Sequence, residues 1–472
     1  MASLDTDAPF LEHPHILDLF AGPGGLDVAA RMIGVETLGI EWDRNACETR
    51  YEAGLRTWHA DVSAVRRERF HELPKDLNVL VGGPPCQTYS VAGNGAGRKA
   101  LKEVEGFVRA LVNGDDDELI DKQLEELDAD PRTPLVLEPL RYAIKALTCP
   151  NREGRAFDVI VLEQVPGVKA LWDVYADVLR AGLPGKDGER VGYNVAKVRT
   201  LHTEAYGVPQ TRRRTILMAR LADYAVPRLP MPTHHTYDPR FPGRGGFECT
   251  ENTAAAGQIA PPLGGMELSL KPWVSMGEVL KAQEDGIDGD RFEGRDTPFE
   301  IVSNYGSGGD PKNRGVRTHR QPAFTVTGKV SRNAVFREDG RPHSPNRLTI
   351  REAGILQTFP PDYPWSGGDR SQQVGNAVPP LFGMHVLATA LGLPLPPEEK
   401  LREGWRKATD EERRILRKEG CKDDGETCGP NCPQPEDQAS TASARPRTGA
   451  SVKSSEKYST STLTDVGGAG SS

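Results

Sequence analysis

The apolar run Ile16-Leu17-Asp18-Leu19-Phe20 stops at Ala21-Gly22-Pro23-Gly24-Gly25, and Leu26 to Met32 then carries helical spacing. That order predicts a strand, a glycine turn and a helix. Apolar strands of similar length recur at Thr37–Ile40, Asn78–Val81, Asp158–Leu162 and Thr215–Ala219, with helical patterns such as Leu171–Leu179 between some of them. Strands alternating with helices predict a parallel, doubly wound α/β sheet. Beyond about Arg220 the pattern gives way to Pro- and Gly-rich sequence, including Pro227 to Pro232 and Phe241 to Gly265, which predicts a smaller, loop-rich domain. Helical periodicity returns at Leu348–Phe359 and Leu381–Leu391. The expected organisation is an α/β body over 1–220, the small domain over 221–362, a further segment over 363–400 and a mostly disordered tail over 401–472. From about Asp437 to Ser472 the tail is Ser, Thr, Ala, Gly and charge, too polar to bury a core.

With 472 residues the chain is long enough for two or three domains. Seven irregularly spaced cysteines form no disulfide framework, no run of about 18 apolar residues suggests a membrane span, and the N-terminus lacks signal-peptide character. The expected compartment is the cytoplasm. A net charge of −8 argues against nonspecific coating of nucleic acid, but the charge is unevenly spread. Glu103 to Asp130 holds eleven acidic and two basic residues, whereas Pro311 to Arg351 holds ten Lys/Arg against Glu338 and Asp339.

The glycine turn lets backbone approach a ligand and aims a helix N-terminus at it. Glu41, ending the next strand, is placed for a ribose diol, and the face of Trp42 for adenine. Asp61, where a third strand would end, could meet the adenine amino group. Together they point to a nucleoside cofactor, and the spacing Gly22-x-Gly24-Gly25 disfavours hydride chemistry. Gly83-Pro84-Pro85 sets a rigid turn after the strand Asn78–Val81, so Cys86 is expected at the carboxyl end of the sheet, beside the cofactor crevice, as a nucleophile. Cys421, Cys428 and Cys432 lack a fourth ligand, and His234-His235 lacks partners, so no metal site is expected.

These residues and their order resemble the cytosine-C5 DNA methyltransferases of bacterial and phage type. Asp18-Leu19-Phe20-Ala21-Gly22-Pro23-Gly24-Gly25 looks like the family's cofactor loop, and Gly82-Gly83-Pro84-Pro85-Cys86-Gln87-Thr88-Tyr89-Ser90 like its nucleophile loop. Leu162-Glu163-Gln164-Val165 resembles the Glu-Asn-Val segment, and Gln210-Thr211-Arg212-Arg213-Arg214 the Gln-x-Arg-x-Arg segment. Arg347–Phe359 resembles the helix closing the small domain, and Gln373 to Pro380 the final motif, which packs back beside the cofactor loop. The resemblance implies a Rossmann-like S-adenosylmethionine-dependent methyltransferase sheet with a target-recognition domain. It assigns catalysis to Cys86, Glu163, Arg212 and Arg214, and cofactor contacts to Asp18, Phe20, Gly22, Gly24, Gly25, Glu41, Trp42, Asp61, Pro84, Asn376 and Val378. Gln87, Ser90, Gln164, Val165 and Gln210 are then expected to contact the substrate.

In that chemistry the Cys86 thiolate adds to cytosine carbon 6, and Glu163 engages ring nitrogen 3. Carbon 5 then takes the methyl group of S-adenosyl-L-methionine, its proton leaves and the thiol is eliminated. Arg212 and Arg214 are expected to hold the flipped cytosine and its phosphates, and Arg214 to orient Glu163. Arg314, Arg317, Arg320, Lys329, Arg332, Arg337 and Arg341 offer a basic recognition face. Two departures stand out: Gln164 replaces the usual Asn, and an acidic insertion runs over about 100–129. Acidic residues facing phosphates would be repelled, so the insertion is expected to project away from DNA as a solvated helical lobe, dispensable for binding. The expected partner is double-stranded DNA, with a restriction endonuclease as functional counterpart. The expected state is a monomer, nucleoid-associated. A tRNA cytosine-5 methyltransferase and an inactive DNA-binding relative are the alternatives.

Overall fold

The strands at the centre of the protein are buried along their whole length. β1 (His15–Leu19), β4 (Val79–Gly82) and β5 (Val159–Gln164) expose no residue, as sheets covered on both faces require. This computed structural model describes residues 11–85, 95–126, 132–241, 270–281, 292–296, 298–304, 312, 314–397 and 407–420. Residues 1–422 form one compact unit, and Asp423–Ser472 lie outside the described residues. Along the chain β2 (Glu36–Glu41) and β3 (Thr57–His59) come between β1 and β4, and in the sheet the five strands are parallel in the order β3-β2-β1-β4-β5. A small ribbon, β6 (Leu183–Pro184) with β7 (Arg190–Val191), precedes β8 (Tyr193–Val195), β9 (Arg199–His202) and β10 (Arg213–Leu221). β10 pairs with β5, β8 and β9, always antiparallel. The sheet is therefore mixed: the strand expected at Thr215–Ala219 is present but reversed, because β9 and β10 follow each other through a short connection instead of a crossover helix.

Successive side chains leave opposite faces of each strand and enter separate cores. Ile16, Val79, Val81, Val159 and Ile216 pack with the helices Gly25–Met32 and Pro380–Leu391. Leu17, Leu80, Ile160, Leu162 and Leu217 pack on the other face with Tyr142, Trp172 and Tyr175. The segment Arg370–Leu391 is long and apolar enough to cross a membrane, but 78% of its most apolar window is buried inside the protein, as befits a core helix.

The acidic insertion is not a solvated lobe. Helix Gly95–Asn113 buries Val104, Val108, Leu111 and Val112, and helix Asp117–Glu126 buries Ile120 and Leu124, all in the main core. The acidic residues facing the body meet cations. Arg141 forms ion pairs with Asp117 at 2.9 Å and Asp121 at 2.6 Å, while Arg66 binds Glu138 at 2.8 Å and also pairs with Asp117. Charge count misled because it ignored the apolar i, i+4, i+7 spacing of Val104, Val108 and Leu111.

The region read as loop-rich contains an antiparallel sheet among its described residues. β11 (Phe299–Val302), β12 (Val316–Thr318), β13 (Ala334–Arg337) and β14 (Pro342–Arg347) run in the order β12-β11-β13-β14. Phe299, Ile301, Val335 and Leu356 form its core. The expected tail also holds structure: helix Asp410–Gly420 lies beside β3 and the helix Arg44–Glu52, with Arg413 on Glu52 at 2.8 Å and Arg417 on Glu48 at 2.8 Å. Residues 401–406 and 421–472 of the expected tail, including Cys421, Cys428 and Cys432, lie outside the described residues.

Candidate active site

The carboxyl ends of β1, β2, β4 and β5 open on one side of the sheet, where a ligand can lie across them. After β1 the chain turns through Phe20, Gly22 and Gly24, all at positive φ (60°, 55° and 101°). Gly25 opens the following helix against Val378, whose carbonyl oxygen would lie 2.2 Å from any Cβ there. Only glycine lets the two backbones approach this closely. Beside Gly22 a Cβ would meet nothing nearer than the Phe20 carbonyl at 4.0 Å, so the turn leaves space on its outer side. Glu41 ends β2 there. Its Oε2 accepts from the Gly22 N–H at 2.7 Å, and its Oε1 from Trp42 at 2.9 Å and Asp43 at 2.7 Å. Burial pushes the Glu41 carboxyl upward despite these bonds. The Trp42 ring is 73% exposed beside it. Open backbone, a carboxylate and a free indole face together fit a nucleoside.

Other expected cofactor residues stand differently. Asp61 lies two residues past β3 and caps the next short helix, accepting from Ala64 at 2.8 Å. Asn376 is exposed and accepts from Gln372 at 2.8 Å. Asp18 does not face the crevice: it is 1% exposed within β1, and both its oxygens lack a partner. Burial, then Asp27, pushes its carboxyl well upward.

Farther along the same edge, β4 leads into Gly83, Pro84 and Pro85; Cys86, Gln87 and Ser90 lie outside the described residues. Glu163, near the end of β5, reaches this turn: its Oε2 would lie 3.5 Å from a Cβ on Gly83. Its Oε1 meets Arg214 Nε at 2.5 Å, and both side chains are nearly buried. Gln164 donates to the Pro84 carbonyl at 2.5 Å and accepts from the Val165 N–H at 2.5 Å, so it ties the turn before Cys86 to the end of β5. A cleft of about 410 Å³ opens alongside, lined by Pro166, Glu204, Arg213, Arg214, Arg317 and Thr325 among others.

A family model for C-5 cytosine-specific DNA methylase matches residues 15–106 and 186–391, well over half of the chain. The chain belongs to this family. Its members transfer methyl groups from S-adenosylmethionine. The methylase is 27% identical to the Type II methyltransferase M1.HphI of Haemophilus parahaemolyticus over 79% of this chain and 86% of that protein. It is 25% identical to the Type II methyltransferase M.FnuDI of Fusobacterium nucleatum over 84% of this chain and 98% of that protein. Among solved structures, the Dnmt2 methyltransferase of S. pombe aligns at 15% identity and a TM-score of 0.45, covering 80% of this chain and 98% of that one. The stretch between the two matched segments of the methylase includes helix Asp117–Glu126 and β5 with Glu163.

Two expected substrate contacts are structural in this methylase. Arg212 is 1% exposed, and its guanidinium donates to the carbonyls of Val326, Gly375 and Ala377 at 3.0 to 3.1 Å. It touches no surface a phosphate could reach. Burial, then neighbouring Arg214, drives its proton affinity well down. Gln210 is fully buried, donating to Leu356 O at 2.8 Å and Gln357 Oε1 at 2.7 Å and accepting from Val326 N at 2.9 Å. Arg212 lies one residue before β10, which begins at Arg213, and sequence alone could not say which of the three arginines faced inward. Arg317, expected on the basic face, is likewise buried, donating to Pro322 and Ala323 carbonyls between the rings of Tyr237 and Phe324. Arg314, Arg320, Lys329, Arg337 and Arg341 are exposed.

Two structural features escaped sequence reasoning. Gln357 links Gln210 to the Val374 carbonyl at 2.6 Å, joining the region of the small sheet to the final motif. Beneath the glycine turn, Asp27 and Arg50 form an ion pair with both side chains 0% exposed. An acidic residue within a GGLD run was the available signal.

Proposed function

We propose that this methylase transfers a methyl group to carbon 5 of a cytosine flipped from a specific duplex site, with Cys86 as the covalent nucleophile. The observation that carries this reading is Glu163, held by Arg214 and reaching the Gly83-Pro84 turn that leads to Cys86. Cys86 adds to carbon 6 while Glu163 holds ring nitrogen 3, which makes carbon 5 nucleophilic. Bound S-adenosylmethionine supplies the electrophilic methyl group. The turn Phe20–Gly24, Glu41 and Trp42 would hold its nucleoside part and aim its reactive end along the carboxyl edge of the sheet. A base then takes the carbon-5 proton, and elimination returns the thiol.

Residues 221–362 are proposed as the target-recognition domain, whose exposed arginines and lysines suit phosphate and guanine contacts. Pairing with a restriction endonuclease and a cytoplasmic location follow from the same reading. Transfer of tritium from labelled S-adenosylmethionine to duplex DNA and to tRNA tests it. Transfer to DNA, abolished in Cys86→Ala while cofactor binding persists, is expected. Transfer to tRNA alone, or full activity of Cys86→Ala, would overturn it.

A further inference from the structure

The turn Phe20–Gly24 is unusual in needing positive φ at three of five residues, one of them phenylalanine. Such a backbone persists only where its surroundings over-determine it. Arg50 reaches it from below. It leaves the helix Arg44–Glu52, passes over Gly39, where a Cβ would stand 2.0 Å from its Nη2, and donates to the Ala21 carbonyl at 3.3 Å. Asp27, in the first turn of the helix that follows the glycines, grips the same guanidinium at 2.6 and 2.9 Å. Thr57 and the Arg56 carbonyl take its remaining donors at 2.9 and 3.3 Å, and Thr37 donates to Asp27 at 2.6 Å. One guanidinium thus ties Ala21 in the turn and Asp27 just beyond it to Thr57 of β3, and Asp27 is tied in turn to Thr37 of β2.

A fully buried ion pair is a poor source of stability, since desolvation offsets most of its attraction and an apolar pair of similar volume often serves as well. Its retention here calls for another role. We propose that Asp27 and Arg50 are positioning residues that hold the turn Phe20–Gly24 in the shape that accepts the nucleoside cofactor, so that the pair as a unit sets cofactor affinity. This rests on the cofactor site proposed above.

The test is the double replacement Asp27→Leu/Arg50→Met in the full chain, with thermal melting, calorimetric titration of S-adenosylmethionine, and the KM for each substrate. A melting temperature close to the parent's is expected. The dissociation constant for S-adenosylmethionine should rise about 10-fold or more, the scale on which supporting partners of a ligand site act. The KM for DNA should stay unchanged. A folded double variant that binds S-adenosylmethionine as the parent does would overturn the proposal. If the double variant fails to fold, Arg50→Lys decides: it keeps the charge beside Asp27 but cannot fork to both the carboxylate and Ala21. Weakened cofactor binding with melting retained supports the proposal, and parental binding overturns it. A parent that binds no S-adenosylmethionine would instead remove the cofactor reading itself, a result visible before any variant is made.

Discussion

Arg50 and Arg212 both lie fully inside this methylase, and the regions around them solve the same problem differently. Near the glycine turn, Arg50 faces a carboxylate, and although burial alone would lower its proton affinity, Asp27 raises it above the ordinary value. Beside the cleft lined by Arg213 and Arg214, Arg212 donates to carbonyls, and burial lowers its proton affinity. The nearby carboxylate, Glu163, is held by Arg214 instead. Full neutralisation fixes a backbone turn, whereas hydrogen bonds without a counter-ion at Arg212 leave the Glu163 carboxylate available for chemistry.

The sharpest test of that division is Glu163→Gln. It should keep the fold and its melting temperature but lower kcat by about 10²–10⁴-fold, the usual share of a positioned acid or base. Unfolding of this variant would mean that Glu163 holds the fold and does not act on the base. Asp27→Asn should act oppositely, on stability, costing about 3–5 kcal/mol because Arg50 would remain buried without its partner. Denaturant titration measures it, and a loss under 1 kcal/mol would erase the contrast between the regions.

Acid provides a third probe. Burial, with His234 beside it, pushes the His385 imidazole down to about 4. A base held neutral in the fold contributes fully above its ordinary value of 6.5, and that contribution disappears as the pH falls toward 4. The span amounts to about 3 kcal/mol at most. His385→Leu should flatten the stability profile between those pH values, and an unchanged slope would place the acid sensitivity elsewhere. The smallest effect is expected for Arg212→Met, about 1–3 kcal/mol from carbonyls left unpaired but relieved of a buried charge. A cost above that of Asp27→Asn would show that carbonyls alone hold a guanidinium as firmly as a carboxylate does.

What could be read in advance was local. Strand, glycine turn and helix at Ile16–Met32 follow from neighbours in sequence, and β1 and the helix Gly25–Met32 stand within a residue or two of that reading. The roles of Gln210 and Arg212 depend on Leu356, Gly375 and Ala377, more than 140 residues away in the chain, so no local pattern could reveal them. The acidic insertion failed for another reason: its charges were weighed singly, while Arg66 and Arg141, which neutralise them, come from elsewhere in the chain.

The helix Asp410–Gly420 has a consequence for handling the protein. β3 is the last strand of the large sheet, and a terminal strand presents an unused row of amides and carbonyls to any other chain. Gly420 sits against one of those carbonyls, Thr57, so tightly that a Cβ would stand 2.3 Å from it. A shortened chain ending near Leu395 would keep every residue assigned here to chemistry yet expose that row. Its yield and shelf life would then fall with concentration through strand-to-strand association, even at full specific activity when fresh.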